Sequence, residues 1–102
     1  MSKYNEIRTT IDGITFASKA EAARYQQLKL LVRAGDIEDL VLQPKFSIVI
    51  NDQKICTYIA DFQYYQDGKI IIEDVKGVRT PVYNLKKKLV KALHGIEILE
   101  TK

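Results

Sequence analysis

Asp67-Gly68 constrains this chain more than any other pair of residues, because it joins two apolar runs with no room for a longer loop. A two-residue type I′ hairpin needs a left-handed backbone at both central positions, and aspartate followed by glycine supplies it. Such a turn pairs Gln66 with Lys69 and thereby sets every pair further along the hairpin: Gln63 faces Ile72, Asp61 faces Asp74 and Ile59 faces Lys76. Side chains two apart on a strand share a face, so Asp61, Asp74 and Lys76 point one way, and Glu73 and Val75 point the other. The strands are predicted over Ile55 to Tyr65 and Ile70 to Lys76. Large apolar residues on both faces of the first mark it as central in its sheet.

The other elements follow from punctuation. Glu6 to Phe16 alternates polar and β-favouring residues around Asp12-Gly13 and is predicted to form a short hairpin. Ser18-Lys19-Ala20-Glu21 matches a capping box and starts a helix that runs to about Ala34, where Gly35 stops it. A loop containing Pro44 leads to a strand over Phe46 to Ile50, and Asn51-Asp52-Gln53-Lys54 is a turn. Thr80-Pro81 caps a second helix to about Leu93, His94-Gly95 ends it, and Ile96 to Leu99 is a short last strand. The expected fold is α/β, a β-hairpin followed by an αβββαβ core with a mixed central sheet flanked by helices.

Two aspartates directly opposite on an antiparallel pair have Cβ atoms about 5 Å apart and destabilise a sheet. A divalent cation between them reverses that, and carboxylate oxygens suit Mg²⁺ or Mn²⁺. Lys76 on the same face would orient an attacking water or stabilise charge developing on phosphate oxygens. The competing reading is an Asp–Lys ion pair on a solvated face. Against it, Tyr58, Ile59, Ala60, Phe62, Ile70, Ile71 and Ile72 read as the middle of a core, where uncompensated charge is costly. Glu21 also has two readings. It completes the cap, yet it leads a helical stripe with Tyr25, Leu28 and Val32 that would face the sheet.

The 102 residues suit a single domain spanning 1–102, with 46% hydrophobic and 28% charged residues and a net charge of +3. No apolar run reaches the roughly 20 residues of a membrane span, and the first residues do not read as a signal peptide. One cysteine, Cys56, beside one histidine makes no disulfide and no zinc site. A cytoplasmic setting is expected, with no membrane partner.

A helix glutamate, then an aspartate on one strand, then Asp-Val-Lys on its hairpin partner resembles the PD-(D/E)XK nuclease superfamily. More closely, Ser18-Lys19-Ala20-Glu21-Ala22, Leu42-Gln43-Pro44-Lys45-Phe46, Tyr58-Ile59-Ala60-Asp61-Phe62 and Glu73-Asp74-Val75-Lys76-Gly77 resemble small phage- and prophage-encoded, Holliday-junction-resolvase-like endonucleases. The likeness runs from about Tyr4 to Leu99 and implies the same αβββαβ core. It implies that Asp61 and Asp74 are metal ligands, that the Val75 carbonyl contributes, that Lys76 activates water and that Glu21 is the helix glutamate. Ala60 stands where the superfamily often has proline.

For the DNA such an enzyme would bind, the last helix carries Asn84, Lys87, Lys88 and Lys91 on a face opposite Val82, Leu85, Leu89 and Leu93. That face, with Lys86 nearer the apolar boundary and Lys19, Arg24, Arg79 and Tyr83 as lesser candidates, is the expected backbone-binding surface. A solvated helix face is the alternative. Nothing reads bases, so recognition by DNA shape is expected, and symmetrical cutting of a junction implies a homodimer.

Overall fold

A computed structural model describes residues 8–76 and 79–101. Glu6 and Ile7 of the expected first hairpin, and Gly77 of the lysine motif, lie outside them. The chain is a mixed α/β fold. Strands β1 (Thr9–Ile11) and β2 (Ile14–Phe16) form the hairpin, with Asp12 and Gly13 both left-handed at φ 54° and 77°. Helix α1 (Lys19–Ala34) starts where the Ser18 hydroxyl accepts the Glu21 N–H and ends at left-handed Gly35. Next come β3 (Glu38–Leu42), β4 (Lys45–Ile50), β5 (Gln53–Ile59), β6 (Phe62–Gln66) and β7 (Lys69–Val75). Helix α2 (Pro81–His94), capped by Thr80 and stopped by Gly95, leads to β8 (Ile98–Thr101).

A four-stranded sheet runs in the order β3-β6-β7-β8. The hairpin register is the expected one from Gln66↔Lys69 to Phe62↔Glu73, and it stops there. Strand β8 lies parallel to β7, a pairing that needs a crossover, which α2 provides. Alternation along β6 and β7 sends their side chains to two cores. Phe62 and Tyr64 pack with Phe16, Tyr25, Leu28 and Ile37 under α1. Ile72 packs with Ile48, Tyr58, Tyr83, Val90 and Ile98 beneath α2 and the β4–β5 hairpin. Burying a side chain such as Leu28, wholly inaccessible, contributes roughly 1.5–3 kcal/mol.

Several expectations are corrected. The long strand over Ile55 to Tyr65 is two strands, broken at Ala60-Asp61, because β5 pairs with β4 whereas β6 pairs with β3 and β7. The break is held by backbone bonds: Ala60 N–H to Pro44 O at 3.0 Å, Gln43 N–H to Asp61 O at 3.0 Å and Asp61 N–H to Glu73 O at 3.2 Å. Ile59 and Ile70 are therefore about half exposed, at 51% and 53%, rather than central in a core. Strand β3 stands where a loop was expected; its two acids hide it, and left-handed Asp39 lies within its irregular pairing to β6. The turn after β4 is only Asn51-Asp52, and the last strand lies two residues later than expected. On α2 the buried residues are Tyr83 and Val90, while Val82, Leu85 and Leu93 are exposed. Val32 of the α1 stripe is likewise exposed.

Candidate functional site

Asp74 and Glu73 are adjacent, both inaccessible, and belong to different environments. Glu73 turns toward α1. Arg24 grips it with Nε at 2.7 Å and a second nitrogen at 3.0 Å, Tyr64 donates at 2.6 Å and Thr101 at 3.0 Å. Burial would raise its pKa, but Arg24 and the two hydroxyls prevail and hold it below the ordinary value. Arg24 is thereby committed to the fold and is withdrawn from the candidate DNA contacts.

Asp74 turns the other way. One oxygen accepts the Tyr58 hydroxyl proton, and the other accepts the Asp61 N–H at 2.9 Å. The Val75 N–H donates to Asp61 Oδ2 at 2.8 Å. The expected face-to-face Asp61–Asp74 bridge is thus replaced by an interlock, because Asp61 sits in the strand break rather than in the ladder. Burial pushes Asp74 up to about 6, against the opposing pull of Lys76. The Lys76 backbone N–H bonds Thr101 O at 2.7 Å, and its ammonium stands 4.3 Å from the centre of the Tyr83 ring.

Glu21 both caps and faces the site. Its N–H reaches Ser18 and its carboxylate reaches back to the Ala17 N–H at 3.1 Å. Burial, and then the neighbouring Asp61 and Asp74 carboxyls, push it up to about 7. Glu21, Asp61 and Gln43 border a small cavity of about 190 Å³, walled by Phe16 and Leu42. Among the described residues no three Asp, Glu, His or Cys side chains close into a ready-made metal cluster. The donor set is nonetheless all oxygen, and the raised proton affinities of Glu21 and Asp74 are the cost that a hard cation would relieve.

The basic residues are mostly tethered. Glu100 accepts from Arg79 at 2.7 Å, from Lys87 at 3.3 Å and from the Tyr83 hydroxyl at 2.7 Å, and these contacts hold it far below the ordinary carboxylate range. Lys91 pairs with Glu97 at 2.8 Å, and Lys86 reaches the Thr57 carbonyl at 3.4 Å. The Lys91–Glu97 pair is exposed on both sides, and such a pair is worth about 0–1 kcal/mol. Lys88 has no ion pair among the described residues and, with Asn84, Lys87 and Lys91, lines an open groove of about 490 Å³ between α2 and β8. Lys19 is exposed in the first turn of α1.

Tyr58, which holds Asp74, was not found as a site residue from sequence, and Tyr83, which lies under the Lys76 ammonium, was expected only as a lesser DNA-contact candidate. The expected register places Tyr58 beyond the hairpin ladder, and only the partner switch at Ala60-Asp61 returns it to Asp74. His94, expected at the helix end, is there and bonds the Ser47 carbonyl at 2.8 Å.

Residues 1–97 match the sequence pattern of a family described as protein of unknown function, DUF1064. The chain belongs to that family. No curated protein matches it. The matched span includes Glu21, Gln43, Asp61, Asp74, Lys76 and all of α2, and it ends just before β8.

Proposed function

We propose that this chain is a Mg²⁺- or Mn²⁺-dependent DNA endonuclease of the PD-(D/E)XK type, acting on branched or otherwise structured DNA in phage or prophage recombination and replication. The observation that carries the reading is the interlock at the adjoining ends of β6 and β7, with Asp61, Asp74 and Lys76 together and Glu21 leaning in from α1. Element order supports it as well. With the β4–β5 hairpin set aside, α1, β3, β6, β7, α2 and β8 follow the αβββαβ order. Symmetrical cutting of a junction makes a homodimer in a bacterial cytoplasm part of the same reading.

Asp61, Asp74, the Val75 carbonyl and Glu21 would hold the cation, which when bound supplies charge neutralisation at the phosphate and a more acidic water. The protein's own residues do the rest. Tyr58 and the Asp61 N–H keep Asp74 in one orientation. Lys76 leaves the Tyr83 ring to hold the attacking water or a phosphate oxygen. The Lys87–Lys88–Lys91 groove tracks the DNA backbone.

Four-way junction, flap and linear DNA incubated with Mg²⁺, Mn²⁺ or neither test the reading. Metal-dependent cleavage is expected, with Lys76→Ala slowing it by about a hundredfold or more. Undiminished cleavage by Asp74→Asn would sink it. The 1% exposure of Asp74 favours one second reading, a nuclease subunit whose site opens only with a partner protein. Inactivity of the chain alone, with activity restored by that partner, distinguishes it. A non-catalytic DNA-binding protein would instead bind DNA in a salt-sensitive manner, indifferent to metal and to changes at Asp61 or Asp74.

A further inference from the structure

Among the described residues six non-glycine residues have positive φ, and five of them are Asp12, Asp39, Asn51, Asp52 and Asp67. Aspartate and asparagine tolerate the left-handed region because their short side chains bond the local backbone. Four of these five lie in two-residue hairpin turns, and Asp39 lies within the irregular stretch of β3. The sixth is Gln43, at φ 52°, with no such excuse. Its N–H is bonded to the Asp61 carbonyl, and the next residue, Pro44, accepts from Ala60. The strained residue is therefore pinned directly against the strand break that carries Asp61.

The same residue lines the 190 Å³ cavity beside Glu21 and Asp61. Of the side chains there, Glu21 and Asp61 offer carboxyl oxygens, Ile14, Phe16 and Leu42 are apolar, and the Thr15 hydroxyl is engaged with Thr10 at 3.0 Å. Gln43 alone among them brings side-chain N–H groups, and its carboxamide is exposed, with no protein partner among the described residues. A neutral donor held at conformational cost beside two acids suits an anionic ligand that the acids by themselves would repel.

We propose that Gln43 is a substrate-contacting residue, its carboxamide N–H donating to a non-bridging oxygen of the phosphodiester bound beside Asp61. This rests on the nuclease reading above. A residue kept in strain for function has a recognisable signature, because removing it relaxes the fold and damages the activity. Glycine adopts positive φ freely, so Gln43→Gly tests it. The expected result is a melting temperature equal to or above that of wild type. Junction affinity, measured by fluorescence anisotropy with Ca²⁺ in place of Mg²⁺, and single-turnover cleavage should each fall about ten- to a hundredfold, the scale of one hydrogen bond to a charged group. Gln43→Asn tolerates the same backbone with a shorter reach and should lose part of the activity at unchanged stability. Full binding and cleavage in Gln43→Gly overturn the assignment while leaving the nuclease reading intact. A melting temperature that falls in both variants overturns it too, as it marks a structural side chain. Wild type that neither binds nor cuts DNA overturns both.

Discussion

Replacing Asp74 by asparagine should stabilise the metal-free protein while abolishing its activity. Asp74 is 1% exposed, and burial raises its pKa from 3.8 to about 6. A shift of about 2 units corresponds to roughly 3 kcal/mol by which folding disfavours the charged form. Asparagine carries no charge and its one oxygen still accepts the Asp61 N–H, but its NH2 group then meets the Tyr58 hydroxyl, which must turn from donor to acceptor, a loss of about 1 kcal/mol. The net gain is about 1–2 kcal/mol, which for a domain of this size raises Tm by roughly 5–15 °C. The sign depends on pH. Because the folded protein holds this proton more tightly than the unfolded chain, wild-type stability falls as pH rises between about 4 and 6, and the penalty is fully present above. The advantage of Asp74→Asn is therefore greatest near pH 8 and shrinks toward pH 5. Circular-dichroism melts in EDTA at pH 5, 6.5 and 8 measure it. An asparagine variant less stable than wild type at pH 8, or a gap that ignores pH, refutes the reasoning. Adding Mn²⁺ should raise the Tm of wild type and leave the variant unchanged.

Arg24→Met strands the Glu73 carboxylate in the interior and should cost about 3–5 kcal/mol in urea unfolding. Adding Glu73→Met should recover much of that loss, since no buried charge then remains. Lys88→Ala should weaken binding to all DNA sequences alike and reduce the slope of log affinity against log salt by about 1, read by anisotropy titrations. An unchanged slope would remove the α2–β8 groove from the interface. Stability of Lys88→Ala should match wild type, because Lys88 is exposed and makes no ion pair among the described residues.

Much of the local architecture was legible because it is governed by short-range chemistry. Ser18 and Gly35 bound α1, Thr80-Pro81 and Gly95 bound α2, and Asp12-Gly13 and Asp67-Gly68 turn hairpins, all as expected from residues within a few positions. The hairpin register also followed from its turn, as did the opposite facing of Glu73 and Asp74. Sending Asp74 and Glu73 to opposite faces required nothing beyond the period of a strand.

The partner that each strand takes, by contrast, became visible only in three dimensions. Ile55 to Tyr65 is continuously β-favouring, and no local preference distinguishes a strand that keeps one neighbour from one that changes neighbours at Ala60. That switch sets Asp61 outside the ladder, locks its backbone to Asp74, brings Tyr58 to the same carboxylate and seats left-handed Gln43 against the Asp61 carbonyl. The exposed flank of α2 has the same origin: periodicity separates an apolar face from a basic one, but the rotation of the helix on the sheet was decided by Tyr83, wedged between Tyr58, Lys76 and Glu100. Short-range chemistry sufficed for the two helices, the two Asp-Gly turns and the faces on which the carboxylates lie. The long-range pairing of strands, whose energy belongs to no single segment, decided how they meet.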